Sequence, residues 1–189
     1  GLGRSRIGGA RSAAGLSKVL VARLRLAWPN VRLIVRGDSG FCRQRLLRWC
    51  EKHRVDYVIG LARNKRLERL VEPLEARMHA AYAQCGVKQR EIDELRYAAD
   101  SWDKERRVIT RLEYGSQGNN PRFIVTTLTD ASSYLYDTLY CARGEAENRI
   151  KEAQLDLFGT RASCHDFLAN QFRLLLAALA YTLMISLRR

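Results

Sequence analysis

Four side chains between residues 140 and 151 have types that suit chemistry on a phosphate. They are Tyr140, Arg143, Glu147 and Lys151. If this stretch is helical, all four fall within one narrow sector, because each residue turns an α-helix by about 100°. A carboxylate beside cations, on a helix seated by an apolar stripe, suits a metal ion that faces a phosphate backbone. A solvated face with pairing between Glu147 and Lys151 fits the same pattern, so the helix alone leaves both interpretations open.

A further acid, Asp38, follows a short apolar stretch. Val31–Arg36 is typical of a buried strand, and a helical pattern runs over Phe41–His53. Asp38 therefore lies at the carboxyl end of a strand, where open α/β sheets build their ligand crevices. Asp38 or Ser39 could instead serve only as the N-cap of the next helix, which is a frequent role of either residue type.

Together the two segments resemble the catalytic core of insertion-sequence transposases of the DDE type. One branch of that family carries a Tyr-x2-Arg-x3-Glu-x6-Lys signature near its last acid. Its first three residues match here at Tyr140, Arg143 and Glu147. The final Lys does not match, because Gln154 stands at its position and Lys151 is the nearest cation. The resemblance extends from about Val19 to the C-terminus.

This resemblance implies a ribonuclease-H-like α/β fold in which three carboxylates hold two divalent metal ions. Asp38 would be the second acid and Glu147 the third, and oxygen ligands of this kind favour Mg2+ or Mn2+. The metal ions would activate water or a DNA 3′ hydroxyl for in-line phosphoryl transfer. Tyr140, Arg143 and Lys151 would bind DNA near the scissile bond. The implied partner is DNA at the terminal inverted repeats of the insertion sequence, bound by a homo-oligomer of the full-length protein.

The first acid of the triad has no candidate, because no Asp or Glu precedes Asp38. Residues 1–15 are rich in Gly, Arg, Ser and Ala, which predicts a disordered basic lead-in before a partial catalytic domain over residues 16–189. We expect an incomplete core without its opening strands, with Val31–Arg36 exposed at an edge and only Val55–Leu61 beside it. Two functions stay open: a DDE transposase, truncated and inactive as this chain alone, and a transposase remnant that only binds DNA non-specifically.

The elements that position Asp38 can be predicted from the apolar pattern. An amphipathic helix over Leu16–Trp28 precedes the strand that ends at Asp38. Val55–Leu61 forms a second strand after one intervening helix. Two strands joined in this way make a βαβ unit, so we expect them to be parallel.

The middle of the chain changes from a helical to a strand pattern. Asn64 should cap a long helix that reaches about Cys85, with Pro73 kinking or restarting it. Residues 92–130 are expected to form a small antiparallel β insertion, although an edge extension of the main sheet fits as well. Its predicted strands are Glu94–Ser101, Arg106–Tyr114 and Arg122–Leu128.

The composition indicates the class of binding partner and the cellular compartment. The net charge of +13 on 189 residues implies an anionic partner, most simply nucleic acid. Five cysteines without a Cys-x-x-Cys pair indicate a reducing compartment rather than a zinc site. Ser163–Leu187 should be a buried helix that covers the sheet, because its apolar run is about 14 residues and a bilayer needs about 20. With no signal pattern, we expect a cytoplasmic, nucleoid-associated protein that binds no membrane.

Overall fold

The computed structural model describes residues 9–142, 144, 148, 151–152 and 165–187, and for residues 9–14 and 16 it describes the backbone alone. The chain divides into two compact units, Gly1–Cys141 and Ala142–Arg189. The first unit contains the β-sheet, and the second contains the C-terminal helix.

Helices and strands alternate in the first unit before it turns to antiparallel strands. Its helices are α1 (Gly9–Ala27), α2 (Gln44–Lys52) and α3 (Lys65–Cys85), with a 3-10 turn at Ser39–Phe41 and a π-helix at Tyr134–Tyr140. Its strands are β1 (Ile34–Gly37), β2 (Asp56–Leu61), β3 (Gln89–Tyr97), β4 (Arg106–Gly115), β5 (Gly118–Asn119) and β6 (Arg122–Thr126). In the second unit the long helix is α4 (Phe167–Leu187).

The described strands form one mixed sheet in the order β1-β2-β6-β4-β3, with β5 paired to β4. β1 and β2 are parallel, which confirms the predicted βαβ unit. The other pairs of described strands are antiparallel. The α/β class is therefore confirmed, whereas the ribonuclease-H-like topology stays a prediction.

The strands predicted for a β insertion, about residues 92–130, belong to this same sheet. β6 pairs directly with β2, and Gly60 lies opposite Ile124. Both edges of β2 are thus hydrogen-bonded, so the expectation that Val55–Leu61 and β1 would stand alone as a two-stranded ladder was wrong. The physical reason is that β6 is apolar on both faces and can be buried in the middle of a sheet. β1 does lie at the edge of the described sheet, as expected.

Both faces of the sheet are covered, and each has its own apolar core. Leu47 of α2 and Leu67 of α3 join Tyr57 in one core. On the opposite face, the π-helix residues Leu135 and Tyr136 join a second core that contains Val58, Ile109, Ile124 and Leu128. Full burial of one such aliphatic side chain stabilises a fold by about 1.5–3 kcal/mol. Packing on the sheet therefore anchors the π-helix.

The boundaries of α3 agree with the sequence prediction. The side chain of Asn64 accepts hydrogen bonds of 3.1 Å from the backbone N–H groups of Arg66 and Leu67. The helix continues through Pro73 to its end. Gly86 follows with a φ of 66°, the left-handed conformation that glycine adopts most easily.

The first helix begins earlier than predicted. α1 starts at Gly9, so the later part of the expected disordered lead-in is helical, and residues 1–8 lie outside the described residues. Val21 is buried in the core shared with α2 and α3. Arg25 donates a 2.7 Å hydrogen bond to the carbonyl oxygen of His53, just after α2. These contacts fix α1 beside the βαβ unit.

The C-terminal helix has no buried residue among those that the structure describes, and its position over the sheet stays a prediction, because helix and sheet belong to different compact units. Phe167 and Leu187 of α4 are 77% and 88% exposed. By length and composition alone, α4 also suffices to cross a membrane, a test that the core helices of soluble proteins pass as well.

Candidate active site at the end of strand β1

Asp38 follows the last residue of β1 and begins the 3-10 turn. Its Oδ1 accepts a 2.8 Å hydrogen bond from the backbone N–H of Gly40. Asp38 caps this short turn and does not cap α2. The residue that precedes α2 is Arg43, and its side chain makes no capping hydrogen bond. Asp38 is exposed. Its carboxylate is thus oriented by the turn and accessible at the carboxyl end of a strand, where ligands bind in open α/β sheets.

Gly60 of β2 allows three segments to meet beside Asp38. A β-carbon built on Gly60 would lie 2.6 Å from the hydroxyl oxygen of Tyr140. It would also lie 3.0 Å from the backbone nitrogen of Ser39 and 3.2 Å from the carbonyl carbon of Asp38. Only glycine permits this close approach without a shift of the neighbouring atoms. The structure therefore brings together two predicted site residues, Asp38 and Tyr140, against the same glycine.

Arg36 ties β1 to the segment that carries Tyr140. Its Nη1 donates a 2.9 Å hydrogen bond to the carbonyl oxygen of Leu139. Sequence reasoning missed both Arg36 and Gly60 as parts of the site. The available signal for Gly60 was a glycine inside an apolar strand, which often marks the close approach of another group. The available signal for Arg36 was a cation at the end of an otherwise apolar strand.

The helix that ends at Tyr140 has π-helical winding. The backbone N–H of Cys141 donates a 3.1 Å hydrogen bond to the carbonyl oxygen of Tyr136, five residues earlier. Turns of this type are rare and are frequently found at functional sites. The residue spacing predicted an α-helix that includes Tyr140 and continues to Lys151. Instead, Tyr140 is the last residue of the π-helix.

Charged side chains surround the π-helix on its face of the sheet. Arg90 forms an ion pair with Asp137. Nη1 of Arg111 lies 2.8 Å from Oε1 of Glu113, and its guanidinium lies over the ring of Tyr136, 5.7 Å from the ring centroid. Burial raises the pKa of Tyr136, and the positive charge of Arg111 opposes that shift. Each of these two arginines is thus paired with an acid on the same face of the sheet.

The remaining predicted site residues lie elsewhere or beyond the described residues. Arg143 and Glu147 are outside the described residues, so their positions stay predictions. Lys151 is helical and exposed in the second unit, whereas Asp38 and Tyr140 belong to the first. Because Tyr140 ends the π-helix, it does not lie on the expected α-helix. A shared helical face of Arg143, Glu147 and Lys151 stays a prediction.

Asp38 has the chemistry that a hard divalent cation requires, because Mg2+ and Mn2+ prefer carboxylate oxygens. Within the part of the chain that the structure describes, no group of three or more His, Cys, Asp or Glu could hold a metal ion. The described residues thus supply one ligand of the expected type and do not by themselves form a metal site.

A buried charge cluster lies on the opposite face of the sheet. Arg106, whose side chain is 2% exposed, donates to both carboxylate oxygens of Glu51 at 2.7 and 3.1 Å and to Asp103 at 2.8 Å. The Tyr57 hydroxyl donates to Glu51 at 2.9 Å. Burial alone would raise the pKa of Glu51. Its hydrogen bonds, of which the one from Arg106 has the largest effect, hold that pKa below its usual range. Because these charges are paired with one another, the cluster supports the fold rather than a ligand.

The chain is similar to a family of known proteins. The family model described as Transposase DDE domain group 1 matches residues 2–189, almost the whole chain. No curated protein matches the chain.

Proposed function

The chain belongs to the transposase DDE domain family, group 1, and we propose that Asp38 is one of the carboxylates that serve DNA cutting and joining at insertion-sequence ends. The observation that carries this proposal is the position of Asp38. It is exposed at the end of β1, next to the glycine against which the Tyr140 hydroxyl lies. The assignment to the branch with the Tyr-Arg-Glu-Lys signature rests on the spacing of Tyr140, Arg143 and Glu147.

Transposases of this family generally depend on a divalent metal ion, and in the proposal Asp38 and Glu147 hold Mg2+ or Mn2+. When bound, the ion supplies Lewis-acid stabilisation of the phosphoryl oxygens. The contribution of this chain is orientation. The N–H of Gly40 fixes one oxygen of Asp38, and Arg36 holds the end of the π-helix against β1.

Three further residues are proposed to bind the DNA backbone near Asp38. Arg143 suits a phosphate because its planar guanidinium donates two parallel hydrogen bonds. Tyr140 donates through a neutral hydroxyl, and Lys151 provides a point charge. The partner in this proposal is DNA carrying terminal inverted repeats, bound by a homo-oligomer of the full-length protein on the nucleoid in the cytoplasm. The support for it is the family and the net charge of +13.

No carboxylate precedes Asp38 in the 189 residues, so the chain has no candidate for the first acid of the triad. In the proposal, a strand with that acid pairs with the outer edge of β1 in a ribonuclease-H-like sheet. Without it, this chain alone is inactive in strand cleavage. The second candidate function is an inactive remnant that binds DNA non-specifically, and the net charge of +13 supports the binding.

Manganese binding, measured by electron paramagnetic resonance, tests the assignment of Asp38. We expect weak binding to the unmodified chain and loss of that binding in Asp38→Asn and in Glu147→Gln. Asp100→Asn removes an exposed acid shortly after β3 and is the matched control. It should bind Mn2+ as the unmodified chain does. Binding that survives in Asp38→Asn would overturn the assignment.

A plasmid-nicking assay with Mg2+ or Mn2+ tests whether the chain is inactive alone. We expect no metal-dependent strand cleavage, because two carboxylates do not hold two metal ions in register. Cleavage that disappears in Asp38→Ala would show that the chain already contains a complete site. It would also exclude the inactive remnant.

A further inference from the structure

Two arginines face each other across neighbouring strands. Arg111 of β4 and Arg122 of β6 are directly opposite in the antiparallel register. Residues in such positions point to the same face of the sheet, and like charges placed there destabilise the pair of strands. An unfavourable pair of this type needs a compensating group.

The acids nearby are already shared by other cations. Glu113 lies 2.8 Å from Arg111, but it also lies 3.0 Å from Nζ of Lys88 and 3.6 Å from Arg90. Asp137 of the π-helix is paired with Arg90. Among the described residues, no ion pair includes Arg122. The surface therefore keeps a net positive charge around Arg111 and Arg122.

Arg111 is held in place, whereas Arg122 reaches solvent. The side chain of Arg111 is only 16% exposed, and it lies over the Tyr136 ring. Its Nε is buried and finds no acceptor among the described residues. Arg122 is exposed. The guanidinium of Arg111 is thus held in place before a ligand binds. The exposed side chain of Arg122 can move to contact the same ligand.

This pair lies on the same face of the sheet as Gly60. Gly60 pairs with Ile124, and Arg122 is two residues from Ile124 along β6, so its side chain points to the same face. Standard strand geometry places Arg122 about 5 Å across and about 7 Å along from Gly60. Both positions are therefore close enough to contact the same DNA strand.

We propose that Arg111 and Arg122 form a second phosphate-binding subsite, which holds the DNA strand that reaches Asp38. The ligand is a backbone phosphate, whose oxygens accept hydrogen bonds from both guanidinium groups and remove the repulsion between them. The subsite rests on the proposed function for the identity of its ligand. Its affinity for an oxyanion does not depend on a metal ion, on Glu147 or on the first acid.

The first test is thermal unfolding in low-salt buffer without phosphate, followed by addition of inorganic pyrophosphate. Arg122→Gln should leave Tm unchanged or raise it, because it removes the repulsion. Pyrophosphate should raise Tm of the unmodified chain and have much less effect on Arg122→Gln. Arg122→Lys keeps the charge and should retain part of the response. Arg69→Gln removes an exposed cation from α3 on the other face and should respond as the unmodified chain does.

The second test is the salt dependence of duplex DNA binding. Arg122→Gln should lower the slope of log K against log salt by about one, the loss of one phosphate contact. A lower Tm for Arg122→Gln with unchanged pyrophosphate and DNA responses would overturn the subsite, because Arg122 would then be structural. Equal losses in Arg122→Gln and Arg69→Gln would also overturn it. The chain could fail to bind manganese at Asp38 and still respond to pyrophosphate. That result would reject the proposed function but would not contradict the phosphate-binding subsite.

Discussion

The hydroxyl oxygen of Tyr140 occupies the space in which a side chain on Gly60 would begin, 2.6 Å from the position of its β-carbon. The same β-carbon would press on the backbone at Asp38 and Ser39. Gly60 therefore determines how closely the π-helix and the end of β1 approach each other. This approach is what brings Tyr140 to the candidate site.

Gly60→Ala should destabilise the fold by roughly 1–3 kcal/mol, the usual effect of overpacking in a core. Replacing Tyr140 as well, in Gly60→Ala/Tyr140→Phe, removes the oxygen that clashes and should recover part of the loss. Urea denaturation of both variants and of Tyr140→Phe measures the coupling. Gly115→Ala is the matched control, because its β-carbon would lie 3.5 Å from the nearest atom, an ordinary contact. Equal stability of the two alanine variants would contradict the close approach.

The local elements around Asp38 were predictable because each depends on short-range signals. The parallel strands β1 and β2 follow from two apolar runs separated by one helix, and the start of α3 follows from the capping side chain of Asn64. The partner of β2 was not predictable. Its pairing with β6 joins residues about sixty positions apart, Gly60 and Ile124 for example, and apolar patterns do not specify which strands meet.

The position of Asp38 at the end of a strand was predictable from the sequence, but its contacts were not. Asp38 stands out because it ends a strand, but the closeness of Tyr140 depends on a π-helical turn that no sequence period indicates. Arg36 looked like one of many dispersed cations until its bond to the Leu139 carbonyl was seen. Contacts of this kind are set by tertiary packing, which overrides local propensity.

Stability should depend on acid pH through Glu51. Its pKa is held below the usual range by its partners, so its stabilisation is present above the unfolded-state pKa of about 4.3 and is lost as pH falls through the folded-state pKa. Glu51→Gln leaves buried Arg106 short of a counter-charge and should cost about 3 kcal/mol at neutral pH. Urea denaturation between pH 7 and pH 3 should show a smaller pH dependence in this variant. Glu105 is exposed, and Glu105→Gln is the control. An equal reduction of the pH dependence in this control would show that Glu51 is not its source.

The described cysteines should differ in their reactivity. Burial raises the pKa of Cys42 and of Cys50 to about 11, whereas Cys85 and Cys141 are exposed. Because the thiolate is the reactive form, iodoacetamide at pH 8 should label Cys85 and Cys141 in the native protein. Cys50 should be labelled only after unfolding, and the half-buried Cys42 should be labelled more slowly than Cys85 and Cys141. Peptide mapping by mass spectrometry reads each position separately, and rapid native labelling of Cys50 would contradict the packing of α2.

Binding to duplex DNA should be electrostatic and largely independent of sequence. With a net charge of +13, affinity should fall steeply as salt rises, since each phosphate contact releases counterions. Arg143→Ala should weaken binding modestly, and Glu147→Gln should leave it unchanged or strengthen it by removing a negative charge. Fluorescence anisotropy on two unrelated duplexes measures both effects. Salt-insensitive binding with strong sequence preference would show that this surface has another role.

The most direct test asks whether Asp38 and Glu147 share one metal ion. Fe2+ substituted for Mg2+ generates hydroxyl radicals that cut the polypeptide close to the ion, and the fragments locate its ligands. We predict cuts near both Asp38 and Glu147 that are suppressed by excess Mg2+ and absent in Asp38→Asn. Cuts near only one of the two residues, or cuts that persist in Asp38→Asn, would contradict the assignment of the site.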